Sequence, residues 1–132
     1  MTDVDFQLKK KNDKKILFII LNSKNINFSE ESINKYIQTY KEYLENNKMS
    51  IIIDSRNLET INPKIIWENL PKAMQFSDLV EKNVYCTVLI TSFKMVYSLA
   101  ESIAKVYPNS RPYKVVKNNK DAFDFVAKCN KD

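Results

Sequence analysis

The chain is predicted to be an α/β protein, with a mixed, mostly parallel five-stranded sheet and helices packed on it in the order ββαβαβαβα. Three observations carry this. Ile16–Leu21 and Ile51–Ile53 are apolar runs without alternation, as in strands covered on both faces. Segments of helical period separate the later strands, so those strands need crossovers and run parallel. The first two strands are separated only by a short polar turn, which makes them an antiparallel hairpin. At 132 residues with 44% hydrophobic content, one domain spanning residues 1–132 is expected.

Val4, Phe6 and Leu8 alternate with polar residues, giving a half-buried first strand. Lys10-Lys11-Asn12-Asp13-Lys14 is the turn, because Asn and Asp tolerate turn backbone angles. Lys15–Leu21 returns, and its solid apolar run suits a central position. Ser29 caps the first helix, with Phe28 stapled to Ile33. Ile33, Tyr36, Ile37, Tyr40, Tyr43 and Leu44 recur at helical spacing, a face packed on the sheet with hydroxyls at its rim.

Met49–Asp54 is the third strand. Asn62-Pro63 opens a helix, Asn as cap and Pro in the first turn. Pro71 should interrupt it, leaving one piece to Leu70 and another from Pro71 to about Glu81. Val84–Ile90 is the fourth strand, and Thr91-Ser92 should cap a helix carrying Val96, Leu99, Ala100, Ile103 and Val106, stopped by Pro108-Asn109. Tyr113–Val116 and a helix capped by Asn118-Asn119, with Ala122, Phe123, Val126 and Ala127 inward, complete the chain. Glu31–Lys35, Asp78–Lys82, Glu101–Lys105 and Asp124–Lys128 are acid-before-base pairs one helical turn apart.

Two absences narrow the function. There is no histidine, which removes imidazole bases, histidine triads and histidine-ligated metals. There is no glycine, which removes Gly-rich phosphate loops and nucleophile elbows, since each needs Gly for positive φ or close backbone approach. Asn is then expected at left-handed cap and turn positions, and Asn46-Asn47, Asn83, Asn109 and Asn118-Asn119 all fall at element boundaries. No cofactor is expected. The longest apolar run, Ile16–Leu21, falls far short of the roughly 18 residues that span a bilayer. The acidic start, Met1-Thr2-Asp3-Val4-Asp5, has no apolar signal region, so a cytoplasmic protein with Cys86 and Cys129 as reduced thiols is expected.

The third strand's exit and the next helix start are where an open α/β sheet meets its ligands and partners. The candidate site is Asp54, Ser55, Arg56, Asn62 and Lys64, joined by Thr91 and Ser92 after the next parallel strand. Helix starts there offer free N–H groups and positive dipole ends to a phosphate or carboxylate. The plainer alternative is that Asn62, Thr91 and Ser92 only cap helices and Asp54 orders its loop. Asp54 as a base with Ser92 or Cys86 as nucleophile is the weakest reading, because no motif positions a base for either.

The stretch Ile51-Ile52-Ile53-Asp54, then Leu58, Ile61 and Asn62 before a helix, resembles the STAS domain, the SpoIIAA-like fold of anti-sigma-factor antagonists. The tail from Arg111-Pro112-Tyr113-Lys114-Val115-Val116 through Asp121-Ala122-Phe123-Asp124-Phe125-Val126 resembles the last strand and helix of divergent STAS-like proteins. The resemblance implies a non-enzymatic regulatory module that binds a protein partner through the loop after the third strand. In the family an Asp-Ser-Ser-Gly sequence starts the helix and carries a phosphorylation switch. Here Asn62 stands in the Asp position and Pro63, Lys64 and Ile65 follow, so the hydroxyls are missing and the switch does not carry over.

Two alternatives remain open. One is a small anionic ligand at the same strand ends, a nucleotide, phosphorylated metabolite or lipid; the related CRAL-TRIO fold carries lipids. The other is weak nucleic-acid or anionic-membrane binding through the Lys9–Lys15 cluster of a chain with net charge +5. No aromatics are interleaved with those lysines and no nucleic-acid motif is present, so a solvated hairpin that blunts a sheet edge is favoured.

Overall fold

Asn12 and Asp13 have positive φ, 52° and 64°, and fold the chain back on itself. This left-handed pair matches the twist of a hairpin, and Asn and Asp are the side chains that best tolerate it without glycine. Strands β1 (Val4–Lys11) and β2 (Lys14–Leu21) therefore pair antiparallel from Val4 opposite Leu21 to Lys11 opposite Lys14. The structure, a computed structural model, describes residues 3–25, 29–108 and 110–129. The expected staple from Phe28 and the stop at Asn109 lie outside those residues.

The remaining elements are α1 (Glu30–Asn46), β3 (Met49–Asp54), α2 (Pro63–Met74), α3 (Ser77–Asn83), β4 (Val84–Ile90), α4 (Lys94–Val106), β5 (Tyr113–Val116) and α5 (Asn119–Cys129). The sheet order is β1-β2-β3-β4-β5, with β2 to β5 parallel. This is the predicted mixed, mostly parallel sheet.

Strand alternation sorts the core between two faces. Leu17, Ile51, Ile53 and Leu89 pack under α1, α2, α3 and α4, against Leu44, Ile66, Leu79 and Val96. Ile16, Ile52, Cys86, Val88, Ile90 and Val116 turn to the other face, where Ala122 and Val126 of α5 cover them. The tyrosines of α1 belong to the first layer. The Tyr43 ring stacks on Phe6 at 5.9 Å, and burial pushes the Tyr40 hydroxyl up to about 12.

Four local expectations are corrected. Pro71 lies inside α2, and the break comes later, between Met74 and Ser77. Proline's fixed φ is helical, so the cost is one hydrogen bond to the preceding turn, while Ile66 and Leu70 keep the helix seated on its apolar neighbours. Thr91-Ser92 does not cap α4: the helix begins at Lys94 after Phe93, with no side-chain cap. Among the described residues no asparagine but Asn12 has positive φ. Asparagines at helix ends use their amides instead: Asn46 donates to the Glu42 carbonyl, Asn47 to that of Tyr43 and Asn83 to that of Leu44. Finally, none of the four acid-before-base pairs closes among the described residues. A base-before-acid pair one turn apart, Lys64–Glu68, does reach 3.9 Å, with both side chains exposed and little to contribute.

Candidate functional site

β3 and β4 run parallel in a register that sets Asp54 beside Ile90. Their exits, and Thr91 one residue later, therefore share one edge of the sheet. Ser55 joins them. Its amide donates to the Ile90 carbonyl at 2.9 Å and its hydroxyl to the same oxygen at 2.7 Å, with no side-chain exposure. Thr91 is also buried, and its amide extends the ladder to the Val116 carbonyl.

Asp54 is held by its own loop. Arg56 donates Nε to one carboxylate oxygen at 3.0 Å and a terminal nitrogen to the other at 2.7 Å, while its amide donates at 3.2 Å. These hydrogen bonds to Arg56 hold the Asp54 carboxyl below its usual range, against the opposing effect of burial. The fork occupies both oxygens of Asp54, so the geometry makes it a loop brace.

The loop beyond is fixed along its length. The Leu58 amide donates to the Ser55 carbonyl, and Leu58 and Ile61 are buried. The Glu59 and Thr60 amides both donate to the Lys24 carbonyl, and the Thr60 hydroxyl bonds the Asn25 amide oxygen. Asn62 then caps α2, its side chain accepting from the Lys64 amide at 3.0 Å.

Six of the seven sequence-predicted residues fall into three places. Asp54 and Arg56 line a groove on the α5 face, with Lys9, Phe18 and Phe123. Asn62 and Lys64 are exposed at the start of α2, the helix that packs on the opposite face. Thr91 and Ser92 line a cleft of about 410 Å³ between the ends of β4 and β5 and the start of α4. Ser55 is buried between them. The sequence reading missed Lys94, Tyr97 and Lys117 in that cleft; applying the strand-exit rule to β5 as well would have found Lys117. It also missed the aromatics beneath the hairpin lysines, because Phe18, Tyr85 and Phe123 come from other elements.

Cys86 has no exposed surface, lies 3.7 Å from the Ser50 hydroxyl, and has its thiol pushed up to about 12, foremost by burial. That is the environment of an inert core thiol. Among the described residues no cluster of acidic or sulfur ligands is arranged to hold a metal ion, and no helix is long and apolar enough to cross a membrane.

Asp54 titrates lower in the folded chain than in the unfolded one. Its contribution to stability is full above about pH 4, the unfolded value, and is lost as pH falls through the lower folded value. Asp54→Asn is expected to reduce stability at neutral pH and to flatten the acid limb of the stability curve, measured by urea melts from about pH 7 to about pH 2. An acid limb as steep as that of the unaltered chain would contradict the assignment.

No protein-family model matches the chain, and no curated protein matches it. Solved structures do. An uncharacterized protein of the DUF3478 family with a SpoIIAA-like fold, from Shewanella loihica PV-4, matches with a TM-score of 0.68 at 13% identity, over 93% of each chain. An anti-sigma factor antagonist from Mycobacterium paratuberculosis matches with a TM-score of 0.55 at 11% identity, over 94% of each chain. At these identities the likeness is one of architecture: the chain has the SpoIIAA-like fold, the STAS-type arrangement that its sequence resembles.

Proposed function

We propose that the protein is a non-enzymatic regulatory module of STAS-like type, binding a protein partner through the loop after β3 and the start of α2. One observation carries the reading: residues 54–62 are held in a single shape by the Arg56 fork, the Ser55 lock and the Lys24 carbonyl. A loop already ordered loses little conformational entropy on binding, which suits recognition. It presents Asn57, Thr60, Asn62, Pro63 and Lys64 to solvent. The architecture shared with an anti-sigma factor antagonist agrees with this use. With Pro63, Lys64 and Ile65 after the cap, binding here is not gated by phosphorylation at that point.

The test is affinity capture from lysate, followed by dissociation constants for the captured protein against Lys64→Glu and Asn62→Ala chains. Charge reversal at Lys64 is expected to weaken binding by about tenfold or more. Captured proteins indifferent to both substitutions would remove the proposal.

A second reading rests on the cleft at Thr91 and Ser92. α4 starts there without a side-chain cap, and Lys94 and Lys117 line the opening, an arrangement that suits a small anion. Phosphate, nucleotides and sugar phosphates should then raise the melting temperature of the unaltered chain and not that of a Lys94→Glu, Lys117→Glu chain. No shift with any of them discards this reading.

A further inference from the structure

The helix that covers the second face of the sheet meets the hairpin through Phe123, whose ring centre lies 6.1 Å from that of Phe18. α5 sits over β4 and β5, through Ala122 and Val126 against Cys86, Val88, Ile90 and Val116. The apolar surface continues past it along β2, where Ile16 is buried but Phe18 and Ile20 are only half covered. On the same face of β1, Lys9 pairs in register with Ile16, and Lys11 with Lys14. Between this lysine ridge and Phe123 of α5 runs a groove of about 380 Å³, floored by Ile16, Phe18 and Ile20. A second hollow of about 260 Å³ shares Lys11, Ile16 and Phe123 with it and is lined further by Lys14, Val126 and Ala127.

The charge around this groove is one-sided. The Lys9 ammonium lies 5.6 Å from the Phe18 ring centre, that of Lys11 4.2 Å from Phe123, and that of Lys14 5.6 Å from Tyr85. Each cation rests on an aromatic face, and among the described residues none has a carboxylate within ion-pair distance. The one carboxylate in the lining, Asp54, is occupied by Arg56. Asp5 lies further along β1, opposite Ile20, and accepts from Asn22.

We propose that this groove between β1 and α5 docks an acidic amphipathic helix of a protein partner. From Ile16 to Ile20 the floor is about 13 Å long at the rise of a strand. That length takes about nine residues of helix, two and a half turns. Apolar side chains at i, i+4 and i+7 would cover Ile20 and replace the Lys9 and Lys11 ammonium groups on the Phe18 and Phe123 rings, with Glu or Asp on the β1 side receiving Lys9, Lys11 and Lys14. A flat bilayer surface does not follow a floor recessed between a lysine ridge and a helix. A nucleic-acid backbone has no apolar stripe to set on Ile16, Phe18 and Ile20. The groove shares Asp54 and Arg56 with the base of the loop, but Asn62 and Lys64 lie at the start of α2 across the sheet, so substitutions there separate this docking from the loop binding proposed above.

The probe is a stapled, fluorescein-labelled Leu/Glu helix of about twelve residues, compared by anisotropy with the same helix carrying Lys for Glu. The acidic helix is expected to bind the full chain at least about tenfold tighter than its basic counterpart, and to weaken as salt rises. Lys9→Glu with Lys11→Glu, both exposed positions, should abolish that preference, while Lys64→Glu should leave it intact. Circular dichroism and melting temperature establish that each variant is folded. Equal binding of the two helices, or a preference that survives the double reversal, overturns the proposal. So does loss of binding to phosphatidylserine vesicles or single-stranded RNA on double reversal when the acidic helix does not bind.

Discussion

The Ile90 carbonyl is the point on which the site depends. It receives two donors from Ser55, one from the backbone and one from the hydroxyl, at the place where β3 ends and its loop begins. Both Ser55 and Ile90 are fully buried. Each bond contributes about 1 kcal/mol net, and leaving the buried groups unpaired would cost more. The lock extends the β3–β4 ladder one residue past the strand and delivers Arg56 to its fork with Asp54. Leu58 and Ile61 then fill the space under the loop, and Lys24 ties its far side to the end of the hairpin.

The second constraint is the two-residue period of a strand. Ile51 and Ile53 face the four-helix layer, so Ile52 and Asp54 must face α5. α2 packs on the other side. A continuous stretch of chain from Asp54 to Lys64 therefore serves two surfaces, and the buried Ser55 is the crossing point. Four helices on one face and one on the other also leave β2 partly bare beside α5. Lys9 and Lys11 of β1 overhang that strip, with their ammonium groups over the Phe18 and Phe123 rings.

Much of this was legible in the residues. Solid apolar runs gave β2 and β3, and Asn12-Asp13 gave the hairpin. The parallel crossovers followed from the helical segments between strands, which is why Asp54 and Thr91 were expected at one edge, where they lie. Helix ends were harder. Pro71 reads as a breaker, yet its φ fits a helix and apolar packing held the segment. Thr91-Ser92 reads as a cap, but the β4 ladder claims the Thr91 backbone and moves the helix start to Lys94. The site was legible as a set of residues and not as a shape. Nothing in the spacing from Asp54 to Lys64 says that Arg56 turns back onto Asp54. Nor does it say that Ser55 is spent on Ile90. The aromatics under Lys9, Lys11 and Lys14 come from β2, α5 and β4, and only the tertiary fold brings them there.

Amide hydrogen exchange across residues 54–62 tests the pinned loop most directly, because it reads the opening free energy of each hydrogen bond. The account predicts that the Ser55, Leu58 and Glu59 amides exchange nearly as slowly as those of β3 and β4, and that Ser55→Ala speeds all three. Exchange at the rate of an open surface loop, unchanged by Ser55→Ala, would contradict it.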